Sequence, residues 1–261
     1  MPKSCLATLD IPHFILAVVL FILVGVSMLQ SPKPMAIPEN DSQSNYPGNG
    51  KDSIKVFTLV GILAASGVVV LVLMKILSRF FCGVFKPFHF WSALWNFAIA
   101  LASCTLAVNV IKNFVGRPRP DIYSVCGKSV GKDISTCSKN ITKSQFYDEY
   151  RSWPSGHSSS AMAGYAFIAL FLKKEIYGST SIAYFLAFCV LVIPLYIGAT
   201  RIVDYRHHAD DVLAGFFVGF LISYFVFSTA KKDMFDVELR EVSADNSDST
   251  FVNDNSMKYG P

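Results

Sequence analysis

From residue 200 to 211 the chain reads Thr-Arg-Ile-Val-Asp-Tyr-Arg-His-His-Ala-Asp-Asp, and eight of these twelve residues are Arg, Asp, His or Tyr. Strongly apolar sequence flanks the stretch on both sides. Charge packed against hydrocarbon is costly and calls for partners or a task. His207 and Asp211 are four residues apart, so on a helical turn they share a face. A carboxylate on one imidazole nitrogen fixes the tautomer and turns the other nitrogen outward as a base or nucleophile. Arg201 can join them in one pocket. Taken alone, the same residues also suit a solvated interfacial loop. His208, three residues from Asp211, competes with His207, and spacing does not choose between them.

Two further stretches carry chemistry. Lys112-Asn-Phe-Val-Gly-Arg-Pro-Arg-Pro120 puts three cations within eight residues. Lysine offers a phosphate a mobile point charge and arginine a bidentate fork, while Pro118 and Pro120 restrict the backbone around Arg119. A basic segment touching anionic lipid headgroups is the alternative. Trp153-Pro-Ser-Gly-His-Ser-Ser-Ser160 opens another apolar run. Ser155 can cap a helix there, and Gly156 lets the backbone approach a ligand. Unpaired N–H groups at a helix start favour an oxyanion, and His157 would lie beside it. An ordinary N-cap with an interfacial histidine is the plainer reading of that stretch.

The elements that must position these residues are apolar. Of the 261 residues, 52% are hydrophobic and only 16% charged, against about a quarter charged in soluble domains. Mean hydropathy is +0.42. The pattern predicts an all-α, six-span integral membrane bundle forming one domain over residues 1–230, with spans near 11–29, 54–77, 90–111, 155–172, 181–199 and 212–229. The first run, near the N-terminus, reads as an anchor rather than a cleaved signal. Residues 231–261, rich in Ser, Asn and Asp, read as a disordered polar cytoplasmic tail. The net charge of +4 is concentrated in a few motifs, so no nucleic-acid partner is expected. His13 and His89 lie near span ends and read as interfacial.

Six spans put both termini on one side and loops 30–53, 112–154 and 200–211 on the other. Basic connectors at 78–89 and 173–180 suit the cytoplasm. Two glycosylation sequons, at Asn40 and Asn140, fall on the opposite side. So do Cys126 and Cys137, eleven apart in one polar loop, which can pair in an oxidising compartment. The three chemical stretches therefore face the lumen or cell exterior together.

In order and spacing the three stretches resemble the signature of the type 2 phosphatidic acid phosphatases, also called lipid phosphate phosphatases. Lys112 and Arg119-Pro120 match the first part, Pro154 to His157 the second, and Arg201, His207 and Asp211 the third, with Thr200 where the family has serine. The run Asp-Tyr-Arg-His-His is similar to fungal and plant diacylglycerol pyrophosphate and lipid phosphate phosphatases. The resemblance implies that Lys112, Arg119 and Arg201, with the N–H groups of Ser155 and Gly156, hold phosphate. It makes His207 the nucleophile of a phosphohistidine, Asp211 its orienting group, and His157 the acid and then the base.

Phosphoryl transfer is served mainly by positioning and charge compensation. Three side-chain cations and a helix N-terminus supply that, so no metal or other cofactor is expected. The expected substrates are phosphatidate, diacylglycerol pyrophosphate and lysophosphatidate. A polyprenyl diphosphate phosphatase of the same family, a transporter and a non-catalytic scaffold are the alternatives. Nearly charge-free span interiors and a complete set of motif residues weigh against the last two. Whether the chain forms a homo-oligomer is left open.

Overall fold

The computed structural model describes residues 9–38, 41–48 and 52–236. Asn40 and residues 237–261 therefore lie outside the described residues. Among the described residues the secondary structure is helical, apart from one isolated bridge between Phe85 and Ile176. In chain order the α-helices are α1 (Ile11–Leu29), α2 (Val56–Phe80), α3 (Phe90–Val115), α4 (Ile122–Cys126), α5 (Lys143–Glu149), α6 (Gly156–Glu175), α7 (Thr180–Val203) and α8 (Ala209–Phe235).

Five of them, α1, α2, α3, α7 and α8, are long and apolar enough to cross a membrane. The sequence predicts six; the remaining one falls on α6, which does not reach that apolar character and carries Ser158, Ser159, Ser160 and Gly164. Its position explains its composition. α6 is wrapped by α2, α3, α7 and α8 and is largely buried. A helix that faces other helices needs small residues for close approach rather than a greasy exterior. The outer helices do the reverse: Phe14, Ile22, Phe57, Val69, Phe185, Phe188 and Phe217 are exposed, as a lipid-facing girdle requires. The last helix extends to Phe235, past the expected domain end at residue 230.

Two local devices aim the loops. α3 ends at Gly116, whose φ of 61° is left-handed and closes the helix with an N–H bond to the Lys112 carbonyl. A side chain there would run into the Lys33 carbonyl, because the strap formed by residues 30–38 pairs with the end of α3. The second device is the seam between α6 and α8. A Cβ at Gly215 would lie 2.7 Å from the Ser155 carbonyl and 3.1 Å from Ser158 Cβ, and one at Gly219 would lie 3.0 Å from Ala163 N. Glycine at both places lets α8 lie directly on the first turns of α6.

Residues 120–150 form a cap on that end of the bundle. Its own small core consists of Ile122, Cys126, Val130, Phe146 and Tyr150. The expected Cys126–Cys137 disulfide is present and packs into this core. α5 starts with a capping box between Thr142 and Gln145. Asn140 is exposed on the same cap.

Candidate active site

The chain's distant polar stretches converge at one end of the bundle. Lys112 arrives on the last turn of α3, His157 on the first turn of α6, Arg201 on the last turn of α7, and Asp211 on the first turn of α8. Arg119 and His207 come from the connecting loops. Lys112, Arg119, Arg201, His207 and Asp211 are all buried, and His157 is half-buried.

Asp211 organises one side. At the third position of α8 it reaches back to accept the His208 N–H at 2.9 Å, which fixes the helix start. It also accepts Ser152 Oγ at 2.5 Å and Arg117 Nη1 at 2.7 Å. His208 Nδ1 stands 3.2 Å from Asp211 Oδ2 and His207 Nδ1 stands 3.7 Å from the same oxygen. Both histidines therefore face Asp211, but the His207 contact is longer than a hydrogen bond. His208 is further engaged through Nε2, 3.3 Å from the Gln43 carbonyl. His207 Nδ1 is buried and has no partner among the described residues.

Arg201 organises the other side. Its Nη1 donates to the Ile54 carbonyl at 2.9 Å, and its Nη2 donates to Asp52 at 2.8 Å and Asp204 at 2.6 Å. His157 Nε2 lies 3.0 Å from the same Ile54 carbonyl. One oxygen is thus shared by an arginine and a histidine, and a carboxylate oxygen sits beside it. Arg201 Nε is buried without a partner among the described residues. Buried polar groups are almost always satisfied, so the orphaned Arg201 Nε points to a ligand here, while His207 Nδ1 is left facing Asp211.

Arg119 is aimed rather than loose. Nε donates to the Asp148 carbonyl at 2.8 Å, Nη2 to the Asp148 carboxylate at 2.8 Å and Nη1 to the Arg206 carbonyl at 3.2 Å. That commits three of the five N–H donors a guanidinium carries and leaves two for a phosphate. Lys112 Nζ meets the Arg151 carbonyl at 2.5 Å, and its Cε would lie 3.5 Å from a Cβ at Gly156.

One expectation needs correcting. The Ser155 N–H donates to the Asp211 carbonyl at 2.9 Å, so it is not free to hold phosphate. Ser155 instead caps α6, with Oγ 3.4 Å from the Ser158 N–H. The Gly156 N–H, at the first helical position, stays outside the α6 ladder. Several site residues escaped the sequence reading. Arg117 belongs to the cationic stretch that drew attention, but its partners Asp210 and Asp211 could not be foreseen. Ser152, Asp52 and the Ile54 carbonyl carry no local signal at all.

Burial is the main force on the His207 imidazole and holds it well below its ordinary range. Asp211 pulls the other way, and the nearby charges of Lys112 and Arg119 push it further down. Buried Glu149 is pushed up to about 7 by burial and by Asp121, whereas Arg119 and Arg206 overcome burial and hold Asp148 at about 2. The sign for His207 follows directly. A depressed imidazole stays neutral, and so nucleophilic, as pH falls through 6.5, the ordinary value. The acid limb of kcat/KM, after division by the substrate's own ionisation, is expected well below that pH. A limb that stays at the ordinary histidine value would contradict a buried neutral nucleophile.

His208, Asp210 and Asp211 bring ligand atoms within 4.8 Å of one another, closer than their spacing in sequence suggests. Arg117 already pairs with both carboxylates, so a guanidinium stands where a cation would sit.

The model of the PAP2 superfamily matches residues 93–235, more than half of the chain and nearly all of this site. The chain belongs to the PAP2 superfamily. Among relatives, a protein named probable diacylglycerol pyrophosphate phosphatase 1 from Schizosaccharomyces pombe is 36% identical over 148 residues, 53% of each chain. Lipid phosphate phosphatase 2 of Arabidopsis thaliana is 31% identical over 46% of this chain and 44% of its own. Phospholipid phosphatase 1 of Rattus norvegicus is 25% identical over 83% and 84%. The chain spans about half the length of the first two. No solved structure matches it. The matched PAP2 region begins inside α3 and ends with α8, so it leaves out α1, α2 and the segment just before α2 that supplies Asp52 and Ile54.

Proposed function

We propose that this PAP2 chain is an integral membrane phosphatase that removes phosphate from lipid phosphates such as phosphatidate, diacylglycerol pyrophosphate and lysophosphatidate, through a phosphohistidine on His207 and without a metal. The observation that carries the reading is the orphaned buried Arg201 Nε beside an oxygen shared by Arg201 and His157. Phosphate oxygens take the places of the Ile54 carbonyl and the Asp52 carboxylate. Lys112, Arg119, Arg201 and the Gly156 N–H spread over the charge. His207 attacks phosphorus through the nitrogen away from Asp211. The bond from phosphorus to the lipid oxygen breaks, and protonated His157 gives its proton to that oxygen. His157 then takes a proton from water, whose oxygen attacks phosphorus and breaks the P–N bond.

Asp211, shared with Ser152, Arg117 and His208, closes on His207 as the ring gains charge. The relatives' names support a lipid substrate, and a site at the end of apolar helices suits a substrate whose tails stay in the bilayer. The disulfide on the same end supports a lumenal or extracellular face.

The test is phosphate release from phosphatidate and diacylglycerol pyrophosphate in mixed micelles with and without excess EDTA. Equal rates are expected, because Arg117 supplies the positive charge at Asp210 and Asp211. Activity that EDTA removes and added Mg²⁺ restores would sink the metal-free mechanism.

A further inference from the structure

Arg206 precedes the proposed nucleophile and is taken up by carboxylates. Nη1 donates to Glu149 at 3.0 Å and Asp121 at 3.2 Å, and Nη2 donates to Asp148 at 2.6 Å. Its Nε is 3.7 Å from Asp52. Asp121 and Glu149 are almost wholly buried, and each has one oxygen without a partner among the described residues. Two buried carboxylates leaning on one guanidinium are expensive to assemble, since removal of the cation strands them. The outcome of the arrangement lies one contact further on. The second oxygen of Asp148 holds Arg119 Nη2, the Arg206 carbonyl holds Arg119 Nη1, and the Glu149 carbonyl takes the Arg119 N–H at 2.8 Å.

We infer that Arg206 is a positioning residue: through Asp148 and its own carbonyl it sets the fork of Arg119 toward phosphate, tying the loop before α8 to the loop after α3 by way of α5. The inference rests on the assignment of Arg119 to phosphate. It explains why a second arginine sits beside the nucleophile without being a spare phosphate ligand: its terminal nitrogens are already engaged. It also gives the disulfide-closed cap a part in the chemistry, because Asp148 and Glu149 are the last residues of α5 and lie between Phe146 and Tyr150 of the cap core.

A cycle of four proteins tests this: wild type, Arg206→Ala, Arg119→Lys and the double variant. Phosphate release is expected to fall about 10- to 100-fold in kcat/KM for Arg206→Ala, the scale of a misplaced catalytic contact. In the Arg119→Lys background the same change should cost little, because residues acting through one contact are not additive. Arg206→Lys should recover part of the loss. A full loss repeated in both backgrounds, or an unchanged Arg206→Ala enzyme, overturns the inference.

A readout without turnover guards against a folding defect. Orthovanadate, a phosphate mimic, should raise the unfolding temperature of wild type. In Asp148→Asn, a milder change, the rise should be much smaller, measured against that variant's own ligand-free unfolding temperature. A full vanadate shift in Asp148→Asn also overturns the inference. A wild type that binds vanadate but releases no phosphate from any lipid defeats the phosphatase reading instead, and the cycle is then read through the vanadate shift.

Discussion

His207→Ala is expected to abolish phosphate release, with a loss on the order of 10⁴-fold or more, because it removes the covalent route and not merely a contact. The substitution should leave folding intact. The ring makes no hydrogen bond among the described residues, and its one polar approach, to Asp211, is 3.7 Å long. The decisive control is His208→Ala. His208 lies nearer Asp211, and its ring is also within reach of the Gln43 carbonyl. The His208 contribution to Asp211 that fixes the start of α8 is its backbone N–H, which alanine retains. Rapid quench with ³²P-labelled phosphatidate should trap an acid-labile, alkali-stable phosphoenzyme in wild type and in His208→Ala, and none in His207→Ala. Label found on position 208 would reverse the assignment of the nucleophile.

The second large effect is His157→Ala, expected to cost about 10²–10⁴-fold, the usual worth of a positioned acid–base group. Its signature differs from that of His207. The first step needs a proton on the departing lipid oxygen, so a substrate with a good leaving group, such as p-nitrophenyl phosphate, should lose much less of that step. The second step still needs a base for water, so label should accumulate on the enzyme. A variant that loses equally with both substrates and accumulates no phosphoenzyme would remove His157 from both roles. The loss should not reflect collapse of α6, since among the described residues the ring's hydrogen-bond contact is the Ile54 carbonyl, and the cap of that helix is Ser155.

Much of this site is legible in sequence because each helix end announces its own residues. Ser155 before Gly156 and a run of small residues signals a helix start. His207 and Asp211 are near enough in sequence for spacing to pair them. The disulfide follows from two cysteines in one polar loop. What is not legible is every contact made between stretches far apart in the chain. Asp52 reaches Arg201, and Ser152 reaches Asp211, with nothing periodic to mark either residue. Asp148 and Arg206 look like ordinary surface charges until the cap folds over the bundle. A sequence shows which groups a helix start leaves open, but not which neighbour closes them, as the Asp211 carbonyl closes the Ser155 N–H. α6 lies where the sequence predicts a span, but it is less apolar than the others because neighbouring helices, rather than lipid, bury it.

The glycine seam has a mechanical meaning. With Gly215 and Gly219 pressed onto the opening turns of α6, and the Asp211 carbonyl accepting the Ser155 N–H, α6 and α8 are tied together at this end. His157 and Asp211 are thus mounted on a single stiff joint, and the loop bearing His207 enters that joint directly. The fold itself thereby sets the spacing between the proposed acid and nucleophile. The opposite wall is built differently: Ile54 and Asp52 meet the site through individual hydrogen bonds to His157 and Arg201, so any compliance falls on that side.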